Sequence, residues 1–192
     1  MNLPNILTLS RIVMIPVFVG IFYLPFGWSY LTSAVIFALA AITDWVDGYL
    51  ARKLDQSTPF GAFLDPVADK LMVAVALAVL IEEYANVLLT IPAVIIIGRE
   101  VVISALREWM AEVGSRASVA VSFIGKIKTT AQMVAIVGLL AFPPGQFWAY
   151  VAIGLLYLAA VLTLWSMVLY LKAASKDLFP EEQGGGDKTP QP

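Results

Sequence analysis

Four aspartates, spaced as two pairs, are the residues of this sequence best suited to carry chemistry. Asp44 and Asp47 are three apart, and Asp65 and Asp69 are four apart. Either interval puts a pair on one face of a helix. Two antiparallel helices joined by a short loop can bring those faces together at one depth. Four unneutralised carboxylates there would repel one another strongly in a low dielectric. Divalent cations remove the repulsion, and all-oxygen ligation favours Mg2+ or Mn2+ over zinc or iron. Helix capping and surface charge explain any single aspartate well, but they explain the set poorly.

Between the pairs stand Gly48, Ala51, Arg52 and Gly61. Small residues in an apolar helix permit close helix packing. They also leave room for a bulky ligand beside the carboxylates, and both readings stay open from spacing alone. Arg52 offers a fork of donors suited to phosphate oxygens, or a simple interfacial anchor. The chain has neither cysteine nor histidine. Disulfides, thiolate chemistry, His/Cys metal sites and an imidazole base are thereby excluded. A carboxylate beside a metal is the best remaining base.

The elements that hold these residues belong to a membrane. Of 192 residues, 60% are hydrophobic and 14% charged, where a soluble domain carries about a quarter charged. The mean hydropathy is +0.84. The N-terminal segment lacks the basic stretch and cleavage site of a secretory signal, and reads as a retained first membrane segment. The twelve Lys and Arg residues leave three stretches bare, Ile12 to Ala51, Leu71 to Gly98 and Thr129 to Leu171. Each has a turn-like or polar spot near its middle, at 25–29, 82–86 and 143–146. Three helical hairpins follow, hence an all-α integral membrane protein with six transmembrane helices and its basic side in the cytoplasm. The spans predicted are 6–24, 30–51, 66–88, 90–110, 123–142 and 147–171. Asp65 as N-cap and Pro66 at the first helical position suit the start of the third. Residues 1–175 form one catalytic transmembrane domain, and 176–192 a polar, disordered cytoplasmic tail.

The middle hairpin is too short in its bare stretch for two crossings of about 20 residues each. Asp69, Lys70, Arg99 and Glu100 therefore fall inside or at the edge of the membrane, where charges face a polar cavity or one another. That cavity is expected to open to the cytoplasm. Arg107, Arg116 and Lys126 flank the polar segment between the fourth and fifth helices, on the carboxylate side. With Arg99 they are candidates to hold an anion; the alternative is anchoring or binding of anionic lipid headgroups. Asn5, Thr8 and Arg11 recur every three residues, to touch a ligand or to anchor the first helix. Thr129, Thr130 and Gln132 read as interhelical hydrogen-bond partners. Glu100 either pairs with neighbours of Arg99 or orients a site arginine.

The run from Asp44 to Asp69 fits D-x2-D-G-x2-A-R-x8-G-x3-D-x3-D at every fixed position. In this it resembles the CDP-alcohol phosphatidyltransferase family. The likeness extends to 2–11, 98–100, 103–108 and 122–132, and so to nearly all of the chain except the tail. The resemblance implies a bacterial inner-membrane enzyme, active on its cytoplasmic side and usually a homodimer. It implies two divalent ions held by Asp44, Asp47, Asp65 and Asp69, with Asp69 also the general base. Gly48, Ala51, Arg52 and Gly61 would line the CDP site, joined by Asn5 and Thr8. A phosphatidyl group would pass from CDP-diacylglycerol to an alcohol, releasing CMP. The wider likeness points to glycerol 3-phosphate as acceptor, with inositol phosphate, inositol or serine as alternatives. Nucleic acid is not an expected partner. A cation transporter is the competing class, and a scaffolding role leaves the clustered carboxylates without a purpose.

Overall fold

The computed structural model describes the backbone of residues 3–54, 59–112 and 123–178. Within these, the side chains of 3–7, 44–54, 59, 60, 62, 123, 124, 126 and 173–178 lie outside the description. The described residues form six α-helices: α1 Leu3–Phe22, α2 Ser29–Leu54, α3 Pro59–Tyr84, α4 Val87–Glu112, α5 Phe123–Ala141 and α6 Phe147–Leu178. Among them there is no β-strand. Number and order match the six predicted helices, and the three anticipated turns fall between α1 and α2, α3 and α4, and α5 and α6.

Local chemistry sets the turns. α3 ends on Ala85, whose amide bonds the Ile81 carbonyl at 3.1 Å and whose φ of 42° is left-handed. A helix commonly closes on such a residue. Asn86 then caps α4, its Oδ1 accepting the Leu88 amide at 3.0 Å. Between α5 and α6, Gly145 takes a φ of 89°, a backbone state that favours glycine.

Two boundaries differ most from expectation: α6 runs on to Leu178, past the expected end at 171 and into residues 176–178 of the expected disordered tail, and the start of α3 lies earlier. α3 opens at Pro59, and Pro66 lies inside the helix. Asp65 is therefore no N-cap and Pro66 is not at the first helical position. A proline costs no hydrogen bond at a helix start, so Pro59 suits that place equally well. Inside α3, Pro66 removes the bond to the carbonyl four residues back. Membrane helices tolerate this where neighbouring groups compensate.

The helices pack as a closed ring in the order α1, α2, α5, α6, α4, α3 and back to α1. Among the described residues, α1 thus stands between α2 and α3, which meet over a short stretch. Core side chains include Phe18, Phe37, Leu77, Leu80, Ile96, Ile136, Leu139 and Leu156, all essentially buried. Phe18 meets Phe37 edge to face at 6.1 Å. α5 and α6 approach closely because Gly138 faces Ala152; a Cβ at 138 would stand 3.1 Å from the alanine Cβ. Small residues at such a crossing are characteristic of membrane helices.

The outer surface is also apolar. Val13, Leu31, Val101 and Val161 are each about 60% exposed, where a helix in water would present polar residues. α4 and residues 147–172 of α6 are long and apolar enough to cross a membrane. With 26 residues, α4 spans about 39 Å at 1.5 Å per residue. Trp28 and Trp148 stand exposed at the turns, as interfacial aromatics do.

Candidate active site

Thr8 is buried on α1, and its hydroxyl donates to Asp65 Oδ1 on α3. This bond joins two helices more than fifty residues apart in sequence. A hydroxyl on one carboxylate oxygen fixes the rotamer of the acid and leaves its other oxygen for a second partner. One turn along α1, Arg11 is wholly buried. One turn along α3, Asp69 shares the face of Asp65, and both aspartates are half-buried. Gly61 is buried at the start of the same helix.

The structure thus brings Thr8 and Asp65 together, and it places Asp69 on the same face of α3. Asn5, Asp44, Asp47, Gly48, Ala51, Arg52 and Lys126 lie on described helices, but their side chains are outside the described residues. Arg116 is outside them altogether. Among the described residues no group of three acidic side chains forms a metal cluster. The described part of the donor set, Asp65 and Asp69, is all oxygen and partly dehydrated, which suits a hard divalent ion.

A second polar cluster joins α4, α5 and α6. Arg99 Nη1 pairs with Glu100 Oε1 at 2.7 Å, and Arg99 Nη2 donates to Ser166 Oγ at 3.2 Å. Lys128 Nζ reaches the same Glu100 oxygen at 3.4 Å. Arg107 lays its guanidinium over the Tyr170 ring, 5.5 Å from the centroid, a cation–π contact. Arg99 Nε, Gln132 Oε1 and Thr163 Oγ1 are buried with no hydrogen-bond partner among the described residues.

Glu100 also borders a cavity of about 580 Å³ between α3 and α4. Its wall is mostly apolar, with Phe63, Val67, Leu71 and Val101, and Lys70 and Glu108 add charge.

Lys128 escaped the sequence reading, although a signal was there. On α5 the buried positions are 128, 131, 132, 135, 136, 139 and 140, an unbroken helical stripe. Lys128 lies on it. A lysine on the buried stripe of an apolar helix marks a functional candidate.

The CDP-alcohol phosphatidyltransferase family model matches residues 1–169, and the chain belongs to that family. Among the relatives it resembles are proteins named CDP-diacylglycerol–glycerol-3-phosphate 3-phosphatidyltransferase. Those of Salmonella typhimurium and Shigella flexneri are each 58% identical over 180 residues, covering 94% of this chain and 98% of theirs. The Pseudomonas fluorescens protein of that name is 58% identical over 176 residues, covering 91% of this chain and 90% of its own.

Proposed function

We propose that this chain transfers the phosphatidyl group of CDP-diacylglycerol to sn-glycerol 3-phosphate, giving phosphatidylglycerophosphate and CMP. The carrying observation is the near full-length likeness, 58% over 94% of the chain, to proteins bearing that activity in their name. The complete aspartate motif from Asp44 to Asp69 supports it. The relatives do not favour inositol phosphate, inositol or serine as acceptor, nor a transporter.

In this reading all six helices cross the bacterial inner membrane as one domain, residues 1–175. A polar cavity opens to the cytoplasm, residues 176–192 form a tail, and two chains pair as a homodimer. Asp44, Asp47, Asp65 and Asp69 hold two Mg2+ or Mn2+ ions. When bound, those ions would offset the negative charge that builds on the departing CMP. Thr8 keeps Asp65 oriented, and with Asn5, Gly48, Ala51, Arg52 and Gly61 borders the CDP moiety. Asp69 takes the proton of the acceptor hydroxyl. The acceptor oxygen then attacks the lipid-side phosphorus in line as the bond from that phosphorus to CMP breaks. Arg99, Arg107, Arg116 and Lys126 clasp the acceptor phosphate.

An acceptor panel tests this. The purified chain in mixed micelles with CDP-diacylglycerol is given glycerol 3-phosphate, inositol phosphate, inositol or serine in turn. CMP release with glycerol 3-phosphate alone is expected. Faster release with another acceptor would replace the assignment, and release with none would end it.

A further inference from the structure

Glu100 is a single carboxylate set among cations. It accepts Arg99 Nη1 at 2.7 Å and Lys128 Nζ at 3.4 Å, and Arg107 follows about two turns later on α4. The setting is dry: the Lys128 side chain is 8% exposed and that of Arg99 11%. Among the described residues, these two largely buried cations share one carboxylate, and the surplus positive charge is held poorly in a low dielectric without a further anion.

Donors are in surplus as well. A guanidinium carries five N–H groups and an ammonium three. Arg99 gives one nitrogen to Glu100 and one to Ser166, and its Nε is buried with no hydrogen-bond partner among the described residues. Ser166 Oγ in turn donates to the Thr163 carbonyl at 2.9 Å, which fixes the arginine from α6. On its other side Glu100 borders the cavity that reaches Pro66 and Lys70, neighbours of Asp69 on α3. One acid therefore links α4 and α5, and stands between the cation pair and the helix that bears the candidate base.

We propose that Glu100 is a positioning residue: it holds Arg99 and Lys128 side by side so that their spare donors converge on the phosphate of the acceptor. This rests on the acceptor reading above and adds Lys128 to it as a phosphate ligand. Without the Glu100 charge, the two cations repel one another and Lys128 loses its counter-charge in a dehydrated place. The loss falls on acceptor binding, because the bonds that hold the two cations run to Glu100 on α4 and Ser166 on α6.

Full-length Glu100→Gln, in micelles with CDP-diacylglycerol, is the test. The apparent KM for glycerol 3-phosphate is expected to rise about tenfold or more, with that for CDP-diacylglycerol within about twofold of wild type. Lys128→Met is expected to raise the same KM by a similar factor. The double variant should fall short of the product of the two, since contacting residues are not additive. An unchanged glycerol 3-phosphate KM, an equal rise for both substrates, or fully multiplicative penalties would overturn the positioning role alone. Should Glu100→Gln aggregate, Glu100→Asp takes its place, with a rise of about threefold expected and no rise overturning the proposal. Wild-type turnover with glycerol 3-phosphate is measured first, and its absence overturns both this role and the function it rests on.

Discussion

The two ends of the helix ring both contain carboxylates, and they use them differently. At the turn end, Tyr23 donates to Glu82 at 2.7 Å and Tyr30 to Glu83 at 2.5 Å. Tyr84 donates to the backbone carbonyls of Leu139 and Phe142, at 3.1 and 2.7 Å. Each of these acids has a neutral phenol as partner, and each bond ties one hairpin to another. At the opposite end the acids meet a hydroxyl, an arginine and a lysine, and buried polar atoms there remain unmatched. One end closes its polar accounts, as a structural joint must. The other keeps donors and charge in reserve, as a site for an anionic substrate requires.

Substitutions can break that contrast, and the largest effect is expected at Asp69. Asp69→Asn removes the proposed base and should lower the rate of CMP release by about a thousandfold, with the protein still folded. Thr8→Ala should cost about ten- to a hundredfold in the metal concentration needed for half-maximal rate, because Asp65 loses the donor that orients it. A metal titration of CMP release reads this directly. Arg107→Ala should raise the apparent KM for glycerol 3-phosphate about tenfold and leave that for CDP-diacylglycerol unchanged.

Changes away from that end sharpen the comparison by sparing the chemistry. Gly138→Ala puts a methyl 3.1 Å from the Ala152 Cβ, and should lower stability by about 1–3 kcal/mol through overpacking of α5 against α6. Thermal unfolding in detergent measures it. Tyr30→Phe removes one hydrogen bond to Glu83 and should cost about 1 kcal/mol, with both KM values unmoved. A shift in acceptor KM on this substitution would erase the functional difference between the two ends.

Much of the fold was legible because the bare stretches between basic residues are interrupted by strong turn chemistry. Asn86 and Pro143-Pro144-Gly145 mark their turns with residues that cap a helix or cannot continue one. The start of α3 was misplaced because Asp65-Pro66 imitates a helix opening, a cue that only tertiary contacts overrule. In the fold Asp65 serves Thr8 on α1, fifty-seven residues away in sequence. Nor did the sequence reveal that α1 separates α2 from α3, since ring order depends on side-chain fit across helices rather than on any local period. Lys128 was hidden in a different way. In a string it is one basic residue among several, and only packing against the neighbouring helices shows that it lies on the buried stripe of α5. Of the partners of Glu100, Arg99 falls within the expectation that this acid orients a site arginine, whereas Lys128 on α5 was hidden.

CMP release is the most direct measure of the central claim, that the carboxylate end of the ring performs metal-dependent phosphatidyl transfer to glycerol 3-phosphate. Purified wild-type chain would be given CDP-diacylglycerol and glycerol 3-phosphate with Mg2+, and CMP and the lipid product counted together. One CMP per phosphatidylglycerophosphate is expected, stopped by chelation and restored by added Mg2+ or Mn2+. Undiminished turnover under a chelator, or CMP formed without a matching lipid phosphate product, would contradict it.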